Sequence, residues 1–94
     1  MNGEAMTQHA RERVQQRAIP PYVLGFLDDF GSSHHSSGAE RLVFDKAARK
    51  RLKRHLGGER GMKLIERWLG VYAVIGHDGR WVTAGHTTRR TRRD

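Results

Sequence analysis

The strongest constraint on the fold lies near the C-terminus, in the segment VYAVIGHDGRWVTAGHTT that begins at Val71. Two β-rich runs in this segment are joined by Asp78-Gly79. An Asp-Gly pair readily adopts the positive φ angles of a type I′ turn, so the segment predicts an antiparallel β-hairpin. A two-residue turn pairs His77 with Arg80, Ile75 with Val82, Ala73 with Ala84 and Val71 with His86.

The predicted pairing also divides the hairpin into two faces, because successive side chains of a strand point to opposite sides. The face that carries the four pairs is mostly apolar and is expected to join the core, which leaves His86 at its edge. The opposite face is a mixed surface suited to stacking or to close approach by a ligand: Tyr72, Val74, Trp81, Thr83 and the backbone of Gly76 and Gly85.

Two helices are predicted before any strand. Thr7 is a candidate N-cap for a first helix that runs to about Ala18, because Pro20 disfavours helical geometry at the residue before it. Pro20 and Pro21 suit the first turn of a second helix, which Gly31 ends. Apolar side chains recur in that helix at steps of three and four and are expected to pack on the sheet: Tyr22, Val23, Phe26, Leu27 and Phe30.

The middle of the chain predicts a strand pair and two more helices. The sequence ERLVFD, residues 40–45, is typical of a strand and can form a hairpin with residues 33–36 through Ser37-Gly38-Ala39. Asp45 is a favourable N-cap for the helix KAARKRLKRHL, which Gly57-Gly58 ends. A helix over residues 60–69 is expected to turn four side chains toward the core: Met62, Ile65, Trp68 and Leu69.

These elements together predict an α+β fold, in which N-terminal helices pack on a small antiparallel sheet that ends in the C-terminal hairpin. The 94 residues suffice for one domain, predicted over residues 1–86. Residues 87–94, TTRRTRRD, have no apolar side chain and are expected to form a disordered basic tail. The chain contains no cysteine and no apolar run of about 18 residues, so we expect a cytoplasmic protein with no membrane span.

The net charge of +8 arises entirely in the second half of the chain. Residues 46–94 carry 14 Lys and Arg against four acidic residues, whereas residues 1–45 carry four against six. Such a concentration of positive charge attracts polyanions, and RNA or another nucleic acid is the expected partner. The candidate contacts are the six cations of the third predicted helix and two arginines of the tail: Lys46, Arg49, Lys50, Arg51, Lys53, Arg54, Arg89 and Arg90.

Three polar residues of the first helix stand out on a helical wheel. At about 100° per residue, Met6, Ala10, Val14 and Ala18 form one apolar arc. Arg17 falls inside this arc, and Arg13 and His9 lie beside it. The pattern predicts that these three residues run from the helix edge toward its buried side.

The two ends of the chain carry a resemblance to a known group of proteins. The chain opens with His9-Ala10, Arg13, Arg17 and Ile19, and it closes with a hairpin that contains VTAGHTTRR. In these features it resembles small bacterial domains of unknown function, which are similar to RelE-type toxins and, more broadly, to the barnase, EndoU and colicin ribonucleases. Ala18 stands where such domains often have glycine.

The resemblance implies a toxin-like endoribonuclease that cuts RNA across the sheet without a metal or other cofactor. Such a cut needs a base for the ribose 2′-hydroxyl, an acid for the leaving oxygen and cations for the phosphorane charge. By resemblance, His9 and His86 are the acid/base pair, Arg13 and Arg17 hold or orient the phosphate, and Thr83 and Arg89 are further candidates. Ribosome-associated activity and an acidic antitoxin partner are also implied.

The sequence leaves other interpretations open. The chain can be a noncatalytic nucleic-acid-binding domain that uses the basic helix 46–56 and the arginine tail, or a basic protein that binds an acidic partner. Arg17 can pair with Asp28 or Asp29 as a structural link, and His86 can be a hydrogen-bonded structural residue. No metal site is predicted, because no two of the six histidines have the His-x-x-x-His spacing of a helical ligand pair.

Overall fold

A four-stranded antiparallel sheet follows two helices in this computed structural model, which describes residues 6–87. The strands lie side by side in chain order, and a helical segment connects the second strand to the third. This architecture confirms the predicted α+β class and the C-terminal hairpin. The elements are α1 (Gln8–Gln16), α2 (Pro21–Phe30), β1 (Ser32–Ser36), β2 (Ala39–Val43), α3 (Lys46–His55), α4 (Glu59–Lys63), β3 (Val71–Ile75) and β4 (Trp81–His86).

The core lies on one face of the sheet. Val71, Ala73 and Ile75 of β3 are buried, whereas Tyr72 and Val74 between them are only half-buried. The buried strand residues belong to one cluster with side chains from three helices: Ala10 of α1, Val23, Leu24 and Leu27 of α2, and Ala48 and Leu52 of α3. Burial of alternate strand residues in a single cluster places these helices on the same side of the sheet.

Helix α1 is attached to the start of β4. The Thr7 backbone N–H donates to the carbonyl of Trp81 (2.9 Å), and the Thr7 hydroxyl donates to the carbonyl of Val82 (3.3 Å). The same hydroxyl oxygen accepts the Ala10 N–H (3.2 Å), which confirms Thr7 as the predicted N-cap. These bonds hold α1 against β4, where the fully buried Ala10 permits close packing.

The predicted end of α1 at Ala18 is wrong by two residues. The helix ends at Gln16, and the N–H groups of Ala18 and Ile19 donate back to Gln15 and Val14. This pattern is the Schellman motif, which requires a left-handed residue just after the helix cap. Ala18 supplies that conformation with a φ of 52°, although it is not a glycine.

The predicted helix over 60–69 is wrong as a continuous α-helix. Helix α4 ends at Lys63, and a 3-10 turn spans Glu66–Trp68. The N–H groups of Leu64 and Ile65 donate to residues three positions earlier, as in a 3-10 helix. Met62, Ile65 and Trp68 recur at steps of three residues, a spacing that three residues per turn keeps in line, whereas an α-helix turns it by about 60° at each step. All three side chains belong to the core cluster or pack against it, and Ile65 is only 3% exposed.

The predicted register of the C-terminal hairpin is confirmed at its open end and is wrong near its turn. Val71 pairs with His86 and Ala73 pairs with Ala84 as expected, but Ile75 pairs with Trp81 instead of Val82 because of a bulge beside Val74. The shift turns Trp81 into the core, where it is 3% exposed, and not onto the opposite face. Burying so large an aromatic side chain stabilises the bulged register over the regular one.

The first hairpin forms close to its expected position. Strand β1 pairs with β2 through a two-residue turn at Ser37 and Gly38, whose φ angles are 51° and 78°. Two positive φ angles are the mark of a type I′ turn, which matches the twist of the flanking strands. No helix within residues 6–87 has the length and apolar character needed to cross a membrane. The predicted tail lies outside the described residues from position 88 onward. The predicted domain limit at residue 86 therefore stays a prediction.

The two Schellman motifs of the fold generate a paired prediction. Helix α3 ends in the same hydrogen-bond pattern as α1, but with Gly57 (φ 84°) at the left-handed position that Ala18 occupies after α1. Because a Cβ atom disfavours this conformation, Ala18→Gly should raise the free energy of unfolding by about 0.5–1 kcal/mol. Gly57→Ala should lower it by a similar amount. Urea denaturation of the two variants tests this, and a loss of stability in Ala18→Gly would contradict the assignment.

Candidate nucleic-acid interface

Helix α3 carries the densest positive charge in the described part of the chain. Only Ala48 and Leu52 of this helix are buried, at positions one turn apart. The rest of the helix surface faces neighbouring helices, loops or solvent, and six of its residues are the predicted cationic contacts. The structure divides those six residues into two groups.

Three of the six cations bond to other parts of the protein. Arg49 Nε donates to the carbonyl of Phe44 (2.8 Å), so this side chain anchors the start of the helix. Arg51 donates to the carbonyl of Phe30 (2.8 Å) and to the Ser32 hydroxyl (3.1 Å). Lys53 Nζ forms an ion pair with Glu59 (2.5 Å). Arg49, Arg51 and Lys53 therefore have structural roles, whereas from the sequence they were predicted only as phosphate contacts.

The other three cations, Lys46, Lys50 and Arg54, form what we call the basic stripe. They are exposed, and none of them has a hydrogen bond or ion pair with any residue in the range 6–87. Their spacing of four residues aligns them along the helix, and the wheel places them opposite Ala48 and Leu52. The stripe therefore presents three unpaired positive charges together to solvent.

Asp45 fixes the N-terminus of α3. Its carboxylate accepts the Ala48 N–H (2.9 Å), which confirms the predicted N-cap, and it accepts the Ser32 hydroxyl (2.6 Å). It also lies 3.2 Å from Nε2 of His34 on β1. These hydrogen bonds, chiefly those from Ser32 and Ala48, lower the pKa of Asp45 from 3.8 to about 2. The carboxylate joins the first hairpin to the helix that bears the stripe.

The structure does not show the two implied catalytic histidines in contact. His9 is exposed on α1, near the start of β4 to which that helix is attached. His86 is half-buried at the opposite end of β4, where its ring packs on Trp68 with centroids 5.4 Å apart. No hydrogen bond or ring contact joins the two histidines in the described structure. Their assignment as an acid/base pair stays a prediction.

Arg13 and Arg17 of α1 differ in their surroundings. Arg13 is half-buried, and its Nε is buried without a hydrogen-bond partner. The prediction that Arg17 runs into the buried side is wrong: it is exposed, because the helix ends at Gln16 and Arg17 is the C-cap. Within residues 6–87, Arg17 forms no ion pair with Asp28 or Asp29.

The remaining predicted site residues lie apart from the stripe or outside the described chain. Thr83 is half-buried on β4 and pairs with Val74 of β3. Arg89 and Arg90 lie outside residues 6–87, so their contacts are not described. Three or more potential metal ligands do not gather anywhere within that range.

Two clusters of aromatic side chains were not identified from the sequence. The guanidinium of Arg41 lies 4.4 Å from the ring centroid of Tyr72 on the less buried face of the sheet. A Cβ atom at Gly85 would lie 2.6 Å from the Tyr72 hydroxyl, so glycine leaves room for this ring. The second cluster is the aromatic side of α2: of the five residues expected to pack on the sheet, Val23 and Leu27 are buried, Phe26 and Phe30 pack partly against the core, and Tyr22 is exposed.

The comparisons with known proteins give the chain no relative. No protein-family model matches it, and neither a curated protein nor a solved structure does.

The lowered pKa of Asp45 predicts a pH dependence of stability. A carboxylate whose pKa is lower in the folded than in the unfolded chain stabilises the fold above about pH 4, and this contribution is lost as the pH falls through about 2. Wild type should therefore be more stable than Asp45→Asn at neutral pH, and the difference should shrink between pH 4 and pH 2. Urea denaturation across this range measures it, with Asp28→Asn as the control for loss of an exposed carboxylate. A difference that stays constant from pH 6 to pH 2 would contradict the role of Asp45.

Proposed function

We propose that this chain is a nucleic-acid-binding domain that contacts phosphates through the basic stripe of α3. The observation that carries the proposal is the lack of intramolecular partners for Lys46, Lys50 and Arg54 within the described structure, although they project from one side of one helix. Neighbouring cations at a spacing of four residues destabilise a helix. A phosphate strand that pairs with all three would offset that repulsion.

The dimensions of the stripe suit the backbone of a nucleic acid. Eight residues separate Lys46 from Arg54, which corresponds to about 12 Å along a helix. Phosphates of one strand recur about every 3.4 Å along a duplex axis, so a segment of this length contains several of them. Binding of the stripe would release counterions from the strand, and the net charge of +8 would speed association at low salt.

RNA is the nucleic acid that we propose, because the resemblance of the two chain ends is to ribonucleases that act on RNA. The structural roles of Arg49, Arg51 and Lys53 narrow the proposed contact surface from the whole helix to the stripe. Arg89 and Arg90, which lie outside the described residues, would add further phosphate contacts.

Neutralising the stripe should weaken RNA binding and its dependence on salt. In Lys50→Gln/Arg54→Gln, two phosphate contacts are lost, so the slope of log K against log salt should fall by roughly 1 to 2. The affinity should fall by roughly tenfold near physiological ionic strength. Fluorescence anisotropy with a labelled single-stranded RNA measures both quantities.

A matched control removes the same charge elsewhere. Arg60→Gln/Arg67→Gln also neutralises two exposed arginines, one on α4 and one in the 3-10 turn. We expect this variant to bind nearly as well as wild type. Equal or greater loss in the control would show that overall charge or another surface binds the RNA, and the proposal for α3 would fail.

A second candidate function, a metal-independent endoribonuclease, is favoured by the surroundings of Arg13. A buried guanidinium nitrogen without a partner is unfavourable, and a phosphate oxygen would satisfy it. Arg13 lies on the helix that packs on β4, the strand that bears the candidates Thr83 and His86. In this proposal His9 and His86 exchange protons with the RNA, while Arg13 and Arg17 hold the phosphate.

Cleavage assays distinguish the second function from binding alone. If the chain is an endoribonuclease, it should cut RNA either free or on ribosomes, and His9→Ala and Arg13→Lys should each reduce the rate by roughly a hundredfold or more. Arg13→Lys retains the charge but not the geometry of the guanidinium. Thermal melting verifies that each variant is folded. RNA left intact by the wild type in both settings would refute this function, and full activity in His9→Ala would refute the mechanism.

A further inference from the structure

We infer that the domain binds single-stranded nucleic acid, with bases stacking on a row of aromatic rings on α2 while the phosphates follow the basic stripe of α3. The aromatic row consists of Tyr22, Phe26 and Phe30, with His55 of α3 beside them. This inference rests on the proposed nucleic-acid binding and specifies the class of ligand. The inference depends on the position of the aromatic row next to the stripe, on a helix that packs against α3.

The rings of the aromatic row form a continuous series of contacts. The centroids of Tyr22 and Phe26 lie 6.1 Å apart, and those of Phe26 and Phe30 lie 6.3 Å apart. His55 contacts both phenylalanines, at 6.0 Å from Phe26 and 4.8 Å from Phe30. These contacts limit the motion of the rings, so a ligand would meet a surface that is already arranged.

The row remains accessible although it is largely aromatic. The buried residues of α2 are Val23, Leu24 and Leu27, and the rings of Phe26 and Phe30 pack partly against the same core. Tyr22 is 52% exposed, and Phe26 and Phe30 are half-buried. A large aromatic side chain in solvent at one end of a ring series is a typical feature of a binding surface.

Hydrogen bonds hold the row beside the stripe. Arg51 of α3 donates to the carbonyl of Phe30 at the end of α2, which fixes the two helices relative to each other. His55 and Arg51 contact α2, so they mark the flank of α3 that faces the row, and Arg54 of the stripe lies about 60° from Arg51 around the helix. A strand whose phosphates lie on the stripe would therefore have its bases within reach of the rings.

The acidic residues of α2 favour one side of the row over the other. Because successive residues of a helix are about 100° apart, Asp29 projects about 20° from Tyr22, at the edge of the row farther from α3, and Asp28 projects from the flank beyond it. Their negative charges would repel phosphates there. The α3 side, with its unpaired cations, is the side on which a phosphate backbone is attracted.

The chemistry of the two surfaces selects a single strand over a duplex. In a duplex the faces of the bases are stacked on each other, whereas an unpaired base can leave the stack and lie on an aromatic side chain. A cationic track beside aromatic rings is the combination that binds single strands with little sequence preference. A duplex would use the stripe alone and gain nothing from the row.

Removal of the Tyr22 ring tests the inference. The probe is a labelled 12-nucleotide RNA without self-complementarity, used alone and annealed to its complement. Tyr22→Ala should weaken binding of the single strand by roughly fivefold or more, since it removes one base-stacking platform. Binding of the duplex should be unchanged, and Tyr22→Phe should retain most of the affinity for the single strand.

The control is Leu64→Ala, which removes the other large exposed apolar side chain of the described structure, 76% exposed and outside the row. It should bind both probes like wild type, and thermal melting should show that all variants fold. Unchanged single-strand affinity in Tyr22→Ala, or equal losses for both probes, would overturn the inference. Stronger binding of a glutamate-rich peptide than of RNA, lost in Tyr22→Ala, would also overturn it and reassign the row to an acidic protein partner.

The same experiment separates this inference from the proposal on which it rests. If Lys50→Gln/Arg54→Gln loses affinity for both probes and Tyr22→Ala loses none, only the aromatic row is refuted. If the wild type binds neither probe, the proposed nucleic-acid binding itself is refuted.

Discussion

Helices α1, α2 and α3 all pack against the same face of the sheet, through side chains that are almost completely buried. For α3 the fully buried contact consists of Ala48 and Leu52 only. The other residues of the helix face neighbouring helices, loops or solvent. The placement of the cations follows from this constraint, since a charged group cannot enter a small apolar core without a partner.

The cations of α3 separate according to what lies beside them. Those on the flanks meet backbone carbonyls at Phe30 and Phe44 or the carboxylate of Glu59, and their positive charge stabilises the junctions between elements. Those opposite the core have no such neighbours in the described structure, and they form the basic stripe. The same helix thus stabilises its contacts with neighbouring elements through the cations on its flanks and presents the basic stripe to a ligand on its outer surface.

Local sequence signals predicted most of the fold because they act over a few residues. The caps at Thr7 and Asp45 and the strand pairs Val71–His86 and Ala73–Ala84 follow from side-chain chemistry and alternation. The errors occur where distant packing competes with local preference. The burial of Trp81 favours a bulged register over the regular Asp78-Gly79 turn, and the segment with Met62, Ile65 and Trp68 at the core includes a 3-10 turn and not one long α-helix.

The candidate site was harder to predict from the sequence, because the sequence shows which residues are charged but not which of them form hydrogen bonds or ion pairs in the fold. The wheel assigned Arg17 to a buried arc, but the helix ends one residue before it. Apolar spacing assigned Tyr22 to the sheet, but three smaller residues of α2 fill that space. Which cations of α3 are paired depends on carbonyls far away in the sequence, such as that of Phe30. Only the folded arrangement distinguishes the unpaired stripe and places it beside aromatic rings.

NMR titration of the uniformly labelled chain with a short single-stranded RNA can locate the binding surface residue by residue. If the RNA binds on the outer surface of α3 beside α2, the backbone amides whose signals shift most should belong to Lys46–His55 and to the residues around Tyr22, with smaller changes elsewhere. Shifts centred on His9, Arg13, Thr83 and His86 would instead place the RNA at the α1–β4 junction and refute binding on α3. The absence of any shift at low salt would contradict nucleic-acid binding altogether.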